Sequence, residues 1–176
     1  MEELTVVFLG TGTSQGVPVI GCNCTVCKST NPKDKRLRTS VLIEYKGQHL
    51  VIDTGPDFRQ QMLRENVQKL DAVLFTHEHK DHIAGLDDIR AFNFKSGKPM
   101  EVFLSKRVEV GLQKEFHYIF SPIQYPGIPK LNLNHIDKEP FDFNGIQIQP
   151  IEVMHYKLPV TAFRIGNFAY VTDANY

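Results

Sequence analysis

The 176-residue sequence has no excess of either charge: lysine plus arginine and aspartate plus glutamate each number 20. A chain without net charge sets up no global field to draw in a polyanion or an anionic membrane, so only local patches are left for such contacts. No stretch approaches the roughly 20 apolar residues of a membrane span. The opening "MEELTVVFLGTG" places a short apolar run behind two glutamates, whereas an export signal has a basic start and a longer apolar segment. These absences predict a cytoplasmic protein with no membrane partner, and the charge balance argues against nucleic acid. Repeats, linkers and low-complexity tracts are also missing, and 41% hydrophobic with 23% charged residues is ordinary globular composition, so a single domain over 1–176 is expected. Cysteine is scarce, and all 3 fall within "CNCTVC", a clustering that points to metal binding more than to disulfides.

What is present is a β-rich opening followed by alternating helices and strands, an α/β pattern. "LTVVFL", "TSVLIEY" and "HLVID" read as strands, with "KG" as the hairpin turn between the last two. "DFRQQMLREN" reads as a helix with Asp57 as its cap, "KLDAVLFTH" as a buried strand, and "GLDDIRAFNF" and "KRVEVGLQKEF" as helices around the strand "EVFL". Pro122, Pro126 and Pro129 mark a surface loop. "FDFNGIQIQPIEVMH" predicts a hairpin turning at Asn-Gly, and "TAFRIGNFAYVTD" a second one turning at Gly166-Asn167.

The densest chemistry is "FTHEHKDHIAGLDD", residues 75 to 88, directly after the apolar run "AVLF". Side chains alternate along a strand, so His77 and His79 leave its end on the same side. If a helix begins near Asp81, that carboxylate and His82 swing beneath the first pair and make half of a second site. Imidazole and carboxylate suit Zn, Mn or Fe, and a paired site holds its ions about 3.5–4 Å apart. A solvated loop of titrating histidines is the plainer alternative, and the clustering argues against it.

"THEHKDH" resembles the His-x-His-x-Asp-His signature of the metallo-β-lactamase fold superfamily, and "VIDTG" at 51 to 55, His155 and Asp173 in "YVTDANY" follow in that family's order. The resemblance implies an αββα sandwich with two divalent ions, Zn or Mn. It assigns His77, His79 and His155 to the first ion and Asp81 and His82 to the second. Asp173 bridges both, with Asp81 and Asp173 as the catalytic carboxylates. Asp53 matches the aspartate that supports the ligands from behind; read alone, it is equally a turn residue before Gly55. His155 read alone is equally a ligand or a core histidine.

"FLGTGTSQGVPVIGCNCTVC" is more discriminating within the superfamily, and is similar to the cyclic-phosphate phosphodiesterases of phosphonate catabolism. That resemblance implies a structural zinc on Cys22, Cys24 and Cys27, against the alternative of three reduced thiols in a mobile loop. His49, His117 and His135 offer no evident fourth ligand. It also implies hydrolysis of a small cyclic phosphate, nucleotide or sugar phosphate ester, with two ions lowering the pKa of a bridging hydroxide. Two other readings stand beside it. The early Gly-Thr turn and the histidine cluster are shared with the transfer-RNA three-prime processing nuclease, although no basic arm is evident. "GPDFRQQ" and the cysteine pattern resemble the pyrroloquinoline-quinone biosynthesis branch, which allows a metal-holding carrier.

Weaker signals are Gly10, Gly12 and Gly16, read as a turn more than a phosphate cradle; Asp87 and Asp88 at a helix start; and Arg59 and Arg90 as possible anion contacts. In the resembled family the chain continues past the bridging aspartate. The expectation is therefore a sandwich whose C-terminal part is missing, with one complete metal site, incomplete neighbours, little activity by itself and a tendency to form homo-oligomers.

Overall fold

The computed structural model describes residues 3–123 and 125–175. Its first sheet has six strands in the order in which they occur: β1 (Thr5–Gly10), β2 (Ser40–Tyr45), β3 (Gln48–Ile52), β4 (Ala72–Leu74), β5 (Met100–Leu104) and β6 (Leu131–His135). The first three pair antiparallel and the rest are parallel. The second sheet is antiparallel, built from β7 (Phe141–Phe143), β8 (Ile146–His155), β9 (Leu158–Ile165) and β10 (Phe168–Tyr170).

Strand alternation divides the core in two. Leu42, Val51, Val73 and Val102 face one way and pack under the helices. Val41, Ile43, Leu50, Ile52, Ala72 and Leu74 face the other way and meet Phe143, Ile146, Ile148, Phe163 and Ile165 of the second sheet. The helices are α1 (Thr25–Lys28), α2 (Phe58–Arg64), α3 (Lys80–Ile83), α4 (Arg90–Ser96), α5 (Lys106–Glu115) and α6 (His117–Phe120). Those from α2 onward bury Phe58, Ile83, Phe92, Leu112 and Ile119 on the first sheet. The helix, sheet and sheet layers are three of the four expected of an αββα sandwich. Among the described residues no helix contributes to the core beyond the second sheet.

Turn chemistry was legible. Lys46 and Gly47 (φ 49° and 69°), like Asn144 and Gly145 (φ 50° and 81°), take the paired left-handed geometry of two-residue hairpins. The predicted strand "KLDAVLFTH" is shorter, ending at Leu74. The Thr76 N–H goes to the Asp53 carboxylate rather than to a neighbouring strand, which releases the histidine segment from the ladder. Asp57 precedes α2 but makes no side-chain cap, because its two oxygens accept from Arg38 N and Nη1 at 2.8 and 2.9 Å. Asp87 and Asp88 lie in a short 3₁₀ turn without capping it; Asp87 accepts from Tyr118 Oη and pairs with Arg90, so Arg90 is already partnered. Strand β6, "LNLNH", was not read from the sequence. Its asparagines are poor strand formers, and here Asn132 and Asn134 donate to Glu101 on the adjacent strand.

Candidate metal centre

The site is built where β3 and β4 end, the carboxyl edge at which parallel sheets gather their ligands. The chain leaves β3 at Asp53, which is fully buried with φ 65°. Its Oδ1 accepts from Thr76 N at 2.9 Å, while Oδ2 accepts from Thr76 Oγ1 at 2.8 Å and meets His82 Nδ1 at 2.7 Å. The next turn lets α3 come close. A Cβ on Gly55 would stand 2.2 Å from the Asp81 carbonyl oxygen, and one on Gly85 would stand 2.3 Å from that of Gly55. The contact is sealed by Thr54 N donating to His82 O and Gly85 N donating to Thr54 O. The second sheet also holds the segment, Thr161 N donating to Thr76 O at 3.0 Å.

These constraints bring the predicted residues together. His77 Nε2 lies 3.0 Å from His79 Nδ1, and the His155 ring sits 5.6 Å from that of His79 and 6.3 Å from that of His77. Asp173 Oδ2 lies 2.7 Å from His82 Nε2 and 3.6 Å from His77 Nε2, and Asp81 Oδ2 is 3.4 Å from His82 Nε2. Ligand atoms of His77, His82 and Asp173 all fall within 4.8 Å of one another. Asn175, which the sequence did not flag, secures the far side: its N–H donates to Met154 O at 2.9 Å and its Oδ1 accepts from Tyr156 N at 2.6 Å. The two-residue turn at Tyr156 and Lys157 that joins β8 to β9 beside His155 was also missed, because neither residue is typical of a turn and Tyr156 is held at φ 54°.

The electrostatics follow from this crowding. Burial, then the neighbouring His82 charge, lowers the His77 pKa to about 4. Burial also opposes charge on His82, but the Asp53 carboxylate and the contacts with Asp173, Asp53 and Asp81 overcome it and push its pKa up to about 12. The contact with His82 lowers Asp81 to about 2 and lowers Asp173 in the same direction. His82 Nε2 is buried, and although Asp173 Oδ2 is close, the contact is not directed as a hydrogen bond. With Nδ1 committed to Asp53, Nε2 is aimed at a carboxylate oxygen, and a metal cation taking the place of the Nε2 proton would complete the arrangement. A donor set of imidazoles and carboxylates fits a divalent Zn, Mn or Fe ion.

A second cluster lies at the surface. The sulfurs of Cys22, Cys24 and Cys27 are within 4.8 Å of one another beside α1. Cys24 Sγ accepts from Cys27 N at 3.4 Å; that contact first, then the neighbouring thiols, lowers the Cys24 pKa to about 7. His135 is engaged by Glu109, and His49 lies beside Glu44 and Asp71. Gly10 and Gly12 admit the backbone of 36–38, where a Cβ would come within 1.9 and 2.7 Å of carbonyl oxygens, in keeping with their reading as a packed turn.

Comparison with known proteins agrees with this fold. The family description "Beta-lactamase superfamily domain" matches residues 48–176. The chain belongs to that superfamily. A structure described as a new diphosphatase from the PhnP family superposes with a TM-score of 0.87 at 38% identity, over 96% of this chain and 65% of the other. A Porphyromonas gingivalis protein named octanoyltransferase is 42% identical over 95% of this chain, but the match takes only 34% of that protein, so its name need not describe the matched part. A Staphylococcus epidermidis ribonuclease Z is 26% identical over 88% of this chain and 47% of its own length. The chain thus spans about a third to a half of these curated relatives. Among the described residues no helix is long and apolar enough to cross a membrane.

Proposed function

We propose that the protein is a divalent-metal-dependent hydrolase that cleaves a phosphodiester or diphosphate linkage in a small molecule. The observation carrying this reading is Asp173 Oδ2 set between His77 Nε2 and His82 Nε2, with the latter nitrogen buried and without a hydrogen-bond partner. His77, His79 and His155 would hold a first ion, Asp81 and His82 would hold a second, and Asp173 would serve both. Bound there, the ions supply Lewis acidity toward a phosphoryl oxygen and a nucleophile from water near neutral pH. Asp53 fixes the His82 ring through Nδ1 so that Nε2 faces the site. Asp81 and Asp173 remain ionised at neutral pH and offset the charge of the ions. The cysteine cluster holds a zinc that orders residues 22–27 rather than taking part in the reaction.

The similarity to a PhnP-family diphosphatase supports a small phosphate-containing substrate. The likeness to ribonuclease Z supports a nuclease as a second reading. Equal numbers of acidic and basic residues weigh against it, because polynucleotide affinity comes from neutralising many phosphates. Hydrolysis of bis(p-nitrophenyl) phosphate, cyclic nucleotides and a dinucleoside diphosphate with added Mn or Zn separates these readings from salt-dependent cleavage of precursor transfer RNA. Absence of metal-dependent turnover on all the small substrates, in a preparation with metal bound, overturns the proposal.

A further inference from the structure

The residues between the metal donors also form a pattern. In His77-Glu78-His79-Lys80-Asp81, the odd positions turn to the metal centre while Glu78 and Lys80 turn outward to helix α5. Glu78 Oε1 meets Arg107 Nε at 2.7 Å, and Lys80 pairs with Glu115. Arg107, Gly111 and Glu115 are spaced i, i+4 and i+8, which puts them on one stripe of α5. The middle position of that stripe is open. A Cβ on Gly111 would stand 2.6 Å from Glu78 Cβ and 3.2 Å from its Cγ. Glycine inside a helix costs roughly 0.5–1 kcal/mol relative to alanine, so an interior glycine calls for a reason, and the Glu78 side chain filling the space supplies one. Glu78 is largely covered, and its Oε2 is buried with no hydrogen-bond partner among the described residues.

We infer that Glu78 is a positioning residue: seated in the Gly111 gap and held by Arg107, it fixes the spacing of His77 and His79 and so sets the affinity of the centre for its first ion. The Lys80–Glu115 pair is mostly solvent-exposed and adds little. This rests on the metal-centre reading above. A carboxylate with a buried unpaired oxygen is a costly way merely to attach a helix, and its place between two donors is where a rigid anchor has most effect on donor geometry.

The test is Mn(II) binding, because thiolates favour softer ions and Mn(II) therefore reports the histidine cluster with little interference from the cysteines. Gly111→Ala and Glu78→Gln are each expected to weaken Mn(II) binding about tenfold, the lower end of what loss of an outer-shell partner costs. Thermal unfolding of the metal-free variants should match that of the wild type. Gly111→Ala is the sharper variant, since helix propensity alone predicts a more stable chain with unchanged binding. Arg107→Ala, on the exposed side of α5, should weaken binding in the same direction and serves if either of the others fails to fold. Glu78→Gln combined with Arg107→Ala should bind no worse than the weaker single variant. Affinity within twofold of wild type in the folded variants, or a loss that tracks the loss of metal-free stability, overturns the inference while leaving the metal centre in place. Failure of the wild-type chain to bind Mn(II) overturns both.

Discussion

The histidine–aspartate cluster and the cysteine loop each gather three metal-competent side chains within 4.8 Å, yet they are built in opposite ways. His77 and His82 are buried, and their orientation depends on Asp53, Thr76 and Thr161, drawn from strand ends and from the second sheet. The cysteines lie at the surface within six residues of sequence, joined by local contacts such as Cys27 N to Cys24 Sγ. The first arrangement is paid for by the fold and is in place before any ion arrives. The second rests on short-range contacts within its own loop. Damage to the core should therefore propagate into the first cluster and leave the second untouched, and damage to the second should stay local.

Asp53→Ala should have the largest effect. It leaves Thr76 and His82 buried without their shared partner, and breaking a buried charged pair costs on the order of 3–5 kcal/mol. Chemical denaturation should show that loss, and metal analysis should show an empty histidine cluster with zinc on the cysteines retained. Metal kept at full occupancy in the cluster would mean that Asp53 does not support it.

Asp173→Ala should follow, emptying both ion positions, because Oδ2 approaches His77 on one side and His82 on the other. His155→Ala should weaken only the first. Ions counted per chain separate the two variants, and two ions retained in Asp173→Ala would remove it from the bridging role.

An intermediate effect is expected from pH. In the metal-free chain His77 titrates near 4 when folded but near its ordinary 6.5 when unfolded, so the unfolded state binds more protons between those values and stability falls as pH drops through that window. His82 has the opposite sign. Its folded pKa of about 12 keeps a proton that the unfolded chain releases near 6.5, so its contribution is full below 6.5 and is lost as pH rises toward 12. Metal must displace that same proton, so affinity should rise about tenfold per pH unit throughout the range below the folded value if His82 alone releases one. Denaturation and Mn(II) titrations across pH 5 to 9 should therefore show metal-free stability falling on the alkaline side while affinity climbs.

Cys24→Ser should have the smallest effect on the fold. It should lose one equivalent of zinc, change metal-free stability by no more than about 0.5 kcal/mol as exposed substitutions do, and leave Mn(II) binding at the histidines unchanged. Coupled loss of both metals would break the contrast between the two regions.

The sequence by itself determined a good deal. Apolar alternation placed nine of the ten strands, although the run taken for β4 was overlong. The Lys-Gly and Asn-Gly pairs fixed two hairpins because left-handed backbone is accessible to few residues. The spacing within "THEHKDH" marked side chains that the fold brings close together, since alternation along an extended segment is a local property. The tertiary structure decided what depends on distance in space rather than along the chain. Asp53 and Thr76, 23 residues apart, share a carboxylate that ends a strand and orients an imidazole. Gly85 carries no motif of its own and Gly55 only closes "VIDTG", and their role emerges where two backbones pass so close that an added Cβ would collide with a carbonyl oxygen. Asp57 reads locally as a helix cap, but Arg38 arrives from another loop with two donors and outcompetes the helix for its oxygens. Local rules describe what a segment can do when alone. Which of those options survives is set by the partners that packing delivers, and a buried polar group takes the partner that satisfies it most completely.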